Sequence, residues 1–307
     1  MKLVLCLLFT FKLTFARSSC GMDFTVSSYS MDLNSYQETT PLNLSMQRTR
    51  VSYDFLCNFY FYDFGKGNAN SYQRYLENKN GDKISYNLYK INGYKNILTE
   101  LSDMKQNSDA IWGWSLATNQ NYQDSFNVIL SYDRSLIYPA GNYTDSVPVR
   151  IYSGLPFNDP RRESSSNLFL TFSIPSSIAL SLVDAGSPFS EGDTTQTMDF
   201  GEIETGDTLE ADLKVRSNAG YRIYMRSDNR GSLKHQLLND KITYVLTVNN
   251  RSVNLKRGGK GDKVADFSGV TPHDGDNLRL KVVMGNPQSV QAGTYTDYVT
   301  ITAETKD

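Results

Sequence analysis

Histidine, cysteine and tryptophan are scarce in this chain: 307 residues hold two, three and two of them. The histidines, His235 and His273, lie in polar stretches. Neither is spaced with a cysteine or carboxylate as a metal set or a catalytic triad requires. No glycine-rich loop follows a strand and opens a helix, so a phosphate cradle is missing as well. Paired carboxylates such as Glu202 and Glu204 read as solvated strand ends. The expectation is a protein that is not an enzyme, with no cofactor and no metal. Charge of one sign is also lacking: the formal balance is -2, which gives nucleic acid or an anionic membrane no field to follow. Long apolar runs are absent after the start. Leu3 to Phe15 is too short to span a bilayer, is interrupted by Lys12, and ends in Thr14-Phe15-Ala16, so residues 1–16 read as a secretory signal peptide. Cys6 leaves with that peptide. Cys20 and Cys57 remain, an even pair in an exported chain, which reads as one disulfide; two free thiols are the alternative.

Helical periodicity is hard to find, whereas tyrosine is abundant at 20 residues. That balance, over a length sufficient for two cores, favours an all-β chain of two domains. Internal duplication gives the same division. Pro139-Ala140-Gly141-Asn142-Tyr143-Thr144-Asp145-Ser146-Val147 returns as Gln291-Ala292-Gly293-Thr294-Tyr295-Thr296-Asp297-Tyr298-Val299. Each copy reads as a turn followed by a strand with Tyr, Asp and Val on one face. Upstream, Ile84-Ser85-Tyr86-Asn87-Leu88 is matched at a similar distance by Ile242-Thr243-Tyr244-Val245-Leu246.

These two patterns, an Ile-x-Tyr-x-Leu strand and a terminal Ala-Gly-x-Tyr-x-Asp-x-Val strand, resemble the spore coat U family, whose members include pilins and tip adhesins of archaic chaperone-usher pili. The second domain departs from that family in having no cysteine pair. The resemblance implies two tandem immunoglobulin-like, pilin-type sandwiches, the C-terminal one lacking its last strand, and it ties Cys20 to Cys57. It also implies the partners: a periplasmic chaperone, an outer-membrane usher and the donor strand of an adjacent pilin. Donor-strand addition to an incomplete pilin is itself a standard instance of peptide binding at a sheet edge.

Taken in order, the signal peptide is followed by an N-terminal adhesin domain over 17–154, a linker over 155–167 and a C-terminal pilin domain over 168–307. Val51 to Phe61 alternates as a strand carrying Cys57. Pro156, Asn158-Asp159-Pro160 and Ser164-Ser165-Ser166 mark the linker. Leu168, Leu170, Phe172 and Ile174 form an apolar ladder with two readings: a strand donated within the chain to the first domain, or the beginning of the second domain's opening strand. Only Arg17, Ser18 and Ser19 precede Cys20, too few for a donor extension, so the chain is expected to cap a fibre at the cell surface, at the pilus tip. Tyr94, Trp112, Trp114 and Tyr122 are the candidates for contact with an abiotic or host surface, because large rigid side chains give area at little entropic cost; for Trp112 a core position is the stronger reading. Two other functions fit the same composition: a structural spore-coat or pilus-shaft protein, and a secreted carbohydrate-binding module.

Overall fold

A computed structural model describes residues 19–91, 96–288 and 290–306. It is all-β, with short 3-10 turns and no α-helix among the described residues. The alternation of apolar and polar residues dictates this: along Lys83–Lys90, for instance, Ile84, Tyr86 and Leu88 are buried while Lys83 and Ser85 are exposed.

The first domain holds β1 (Met22–Val26), β2 (Tyr29–Asp32), β3 (Thr39–Arg48), β4 (Phe59–Phe64), β5 (Tyr75–Glu77), β6 (Lys83–Lys90), β7 (Ile111–Trp114), β8 (Asn121–Leu130), β9 (Gly141–Leu155) and β10 (Asn158–Ile174). Hydrogen-bonded order runs β1-β3-β8-β6-β5-β9-β10-β2, with β4 between β9 and β7. Tyr62, Phe64, Phe126, Tyr143 and Phe172 fill the core between the layers.

The second domain holds β11 (Ile178–Asp184), β12 (Thr208–Ser217), β13 (Gly220–Ser227), β14 (Ser232–His235), β15 (Lys241–Val248), β16 (Arg251–Ser252), β17 (Asp262–Phe267), β18 (Asp276–Met284), β19 (Tyr295–Thr296) and β20 (Val299–Lys306). One sheet runs β11-β12-β18-β15-β14-β19, with β16 on β15, and a smaller one runs β17-β13-β20. Strand for strand this repeats the first domain. β1 pairs with β3 as β11 does with β12, and β3-β8-β6-β5 is matched by β12-β18-β15-β14. β4 lies between β7 and β9 as β13 lies between β17 and β20. Among the described residues of the second domain, β10 has no counterpart.

Two expectations are corrected here. Residues 155–167 are no linker but the tip of a long β-hairpin and the first part of its second strand, since Asn158 pairs with Leu155 and Ser164 to Asn167 pair with Ile151 to Pro148. Pro156 sits in the two-residue turn and Pro160 at a register shift, where a ladder needs no N–H from them. The connection between domains is only Pro175 to Ser177. It is clasped by Asn218, whose Nδ2 donates to Pro175 O (2.9 Å) and whose Oδ1 accepts from Ser177 N (2.7 Å). Val51 to Phe61 is not one strand: Phe55–Asn58 is a 3-10 turn capped by Asp54, and the strand begins at Phe59. Met198 to Ile203 forms no strand and joins no ladder.

Candidate functional site

The duplicated motif builds the same polar anchor twice. In the first domain the Asp145 carboxylate accepts from Tyr86 Oη (2.5 Å), Asn68 N (2.9 Å) and Ser146 N (2.7 Å). In the second, the Asp297 carboxylate accepts from Tyr244 Oη (2.6 Å), Asn229 N (3.0 Å) and Tyr298 N (2.8 Å). Tyr143 Oη donates to Pro139 O at 2.8 Å, and Tyr295 Oη to Gln291 O at 2.6 Å. A buried carboxylate costs free energy unless such donors surround it. Here they also pull the turn, the Ile-x-Tyr-x-Leu strand and the motif strand together.

What lies over the two anchors differs. Over β9, Leu168 pairs with Val147, Leu170 with Asp145, Phe172 with Tyr143 and Ile174 with Gly141. All four ladder side chains are buried in the first core. β2 closes the far side of that ladder in parallel, Tyr29 opposite Leu170 and Met31 opposite Phe172. In the second domain β20 pairs with β13 on one edge, and no strand among the described residues pairs with its other edge. Val299 is 37% exposed, where its equivalent Val147 is fully buried. Thr39 and Thr208 occupy equivalent places at the start of β3 and β12, pairing with Ile129 and Val283. Counting back equally from each puts Met198 and Phe200 at the positions that correspond to Tyr29 and Met31. Both pack half-buried on the second core with no ladder partner. Neither β20 on its edge away from β13 nor the 198–203 segment has a ladder partner among the described residues.

At the other extremity, away from the junction with the second domain, the first domain exposes apolar side chains. Val51 is 74%, Tyr53 102%, Phe55 66%, Leu116 70% and Phe157 57% exposed, joined by Trp112 at 41% and Trp114 at 47%. The rings brace one another, Phe55 on Phe59 with centroids 5.3 Å apart and Phe59 on Trp114 at 4.3 Å. Gly113 makes the display possible. A Cβ there would meet the Tyr60 ring at 2.5–2.9 Å, so this position faces inward with no side chain while both tryptophans stand on the outer face. Beneath, Tyr60 Oη donates to Asp124 at 2.8 Å, and burial raises the Asp124 pKa against that bond.

Residues 17–150 match the domain described as Spore Coat Protein U. The first domain is a spore coat protein U domain. A search of curated proteins finds no match. Among solved structures the chain is similar to a chaperone–tip subunit pre-assembly complex of archaic chaperone-usher Csu pili from Acinetobacter baumannii. That match has 14% identity and TM-score 0.41, covering 92% of this chain and 100% of that one. It is also similar to the CupB6 tip adhesin of Pseudomonas aeruginosa, with 10% identity and TM-score 0.42 over 92% of this chain and 95% of that one. A third similarity is to the CFA/I adhesin CfaE of enterotoxigenic Escherichia coli, with 10% identity and TM-score 0.37 over 93% and 82%.

Within the spore coat U domain, Cys20 and Cys57 form a disulfide with Cα atoms 5.3 Å apart. Trp114 stands at the apolar extremity. Trp112, for which a core position was the stronger reading, is beside it and half exposed, because Gly113 and not Trp112 faces the interior. Tyr122 is turned inward, its hydroxyl accepting from Ala117 N at 3.0 Å, so it braces the loop rather than joining the exposed set. Tyr94 lies outside the described residues. Val51, Tyr53, Phe55, Leu116 and Phe157 were missed. In Val51 to Phe55 strict alternation imitates a buried strand, and the one signal against it was Asp54 three residues before Cys57.

Proposed function

We propose that this protein is the tip subunit of a bacterial surface pilus of the chaperone-usher type, exported through the periplasm. Its spore coat U domain adheres to surfaces and supports biofilm formation, and its second domain joins the fibre by accepting a donor strand. One observation carries the reading: the two Asp anchors are built alike, but only the first lies beneath a covering strand. Leu168 to Ile174 is then the donor that the chain supplies to its own first domain. An equivalent strand from a neighbouring subunit, and before it from a periplasmic chaperone, would lie along the open edge of β20, in a channel bounded on its far side by Met198–Ile203. The outer-membrane usher would carry out the exchange. A row of exposed apolar side chains on a monomer marks an interaction surface, and the Val51–Trp114 extremity fits an apolar abiotic or host surface.

The channel can be tested with the chain's own donor. A synthetic peptide spanning 166–175, added to the full chain, should raise the calorimetric transition of the second domain. At a hundredfold excess over Kd the gain is about 2.7 kcal/mol, or roughly 5–15 °C for a domain of this size. A scrambled peptide should do nothing. No shift at saturating peptide, or a shift confined to the first domain, would remove the acceptor role.

A further inference from the structure

We propose that Arg48 is the positioning residue of the adhesive extremity, the group that fixes its separate apolar loops as one platform; the inference rests on the adhesive reading above. Arg48 ends β3 and is 3% exposed. Its guanidinium spreads over three segments. Nε donates to Arg50 O (3.0 Å) and Nη2 to Ser52 O (3.2 Å), the carbonyls on either side of Val51. Nη1 donates to Asn58 Oδ1 (3.1 Å), at the end of the 3-10 turn that carries Phe55, and to Ser115 O (2.8 Å), between Trp114 and Leu116.

None of Arg50 to Ser52 lies in a strand, so Arg48 supplies the donors that a neighbouring strand would otherwise give. Ser115 continues the same joint, with N donating to Asn58 O (2.8 Å) and Oγ to Cys57 O (2.9 Å), next to the disulfide. The consequence is preorganisation. Apolar side chains on a backbone that is already fixed lose little freedom on binding, which raises affinity with no added contact. Only the planar, multi-donor fork can do this, since a lysine ammonium is a point charge that cannot span four acceptors in three segments.

The experiment uses cells that display the full chain, as the parent or as Arg48→Lys, Asn58→Ala or the double variant Tyr53→Ser/Phe55→Ser. It reads surface display by antibody, attachment to polystyrene, and tryptic cleavage after Arg50, whose carbonyl Arg48 holds. Arg48→Lys should keep its display, while attachment falls and cleavage after Arg50 speeds up by about tenfold or more, and cleavage at Lys79 in the same domain stays as in the parent. Asn58→Ala should move both readouts the same way by a smaller factor, and it decides the matter if Arg48→Lys is not displayed. Parental attachment and parental cleavage overturn the proposal; cleavage rising equally at Lys79 also does, since that is general destabilisation. If Tyr53→Ser/Phe55→Ser attaches normally, the adhesive reading fails, and the Arg50 cleavage ratio still decides whether Arg48 holds the loops.

Discussion

Truncating Phe172 to alanine asks whether the ladder of β10 belongs to the spore coat U domain. The ring is fully buried, 5.6 Å from Tyr132 and 6.0 Å from Tyr36 between centroids, and it pairs with Tyr143 across the ladder. Removing a buried phenyl group costs about 3–5 kcal/mol, from lost transfer energy plus the cavity left behind. For a domain of this length that lowers Tm by roughly 6–20 °C. Phe169, on the same strand but the opposite face, is 57% exposed, and its truncation should cost under about 0.5 kcal/mol. Both tryptophans of the chain, Trp112 and Trp114, lie in the first domain, so intrinsic tryptophan fluorescence follows the unfolding of that domain alone. A fluorescence melt in which Phe172→Ala and Phe169→Ala behave alike would refute the placement of β10, because strand alternation assigns only one of the two to the core.

Removing the hydroxyl that holds each anchor should be felt in the domain that owns it. Tyr86→Phe should lower the tryptophan-detected transition by about 1–3 kcal/mol, and Tyr244→Phe should leave it alone while lowering the other calorimetric transition. Glu163 gives a pH dependence. Burial pushes its carboxyl up, but donation from Ser19 Oγ (2.7 Å), Ser153 Oγ (2.7 Å) and Cys20 N (3.0 Å) prevails and holds its pKa below the ordinary 4.5. The folded state therefore binds this proton less readily than the unfolded chain. The contribution is complete above pH 4.5 and is lost as pH falls through the lower folded value. Fluorescence melts from pH 6 to 3 should show the first domain losing this increment, and Glu163→Gln should show no such loss from this site. Gly113→Ala should cost about 1–3 kcal/mol in the same melt, since the added methyl group must displace Tyr60.

Much of this architecture was written in local pattern, and some of it was hidden by the same pattern. The repeated Tyr-x-Asp-x-Val strand located both anchors because alternation places all three side chains on one face, and an aspartate among core residues has to be met by donors. The tyrosine of each Ile-x-Tyr-x-Leu strand turned out to be that donor, so the two matched motifs were halves of one contact. The 155–167 stretch misled because prolines and serines punctuate loops in general, yet tolerate a two-residue turn and a bulge equally well. Val51 to Phe55 misled for the opposite reason. Alternation reports periodic exposure only where the backbone is a strand, and here the Arg48 guanidinium, two and four residues before them, holds the carbonyls of Arg50 and Ser52 in another path. What no local signal shows is the other end of that joint, the Arg48 bond to Ser115 O, 67 residues along the chain.

The hairpin of β9 and β10 has a mechanical consequence. Its second strand is 17 residues long, roughly 55 Å, and continues through Pro175 to Ser177 into the second domain. In the proposed adhesin, tension between a surface held at the apolar extremity and the second domain would draw β10 along its own axis, against β9 on one side and β2 on the other. In that direction the cross-strand bonds are loaded together in shear instead of being peeled one after another. The element that closes the first domain would then also be its tow line.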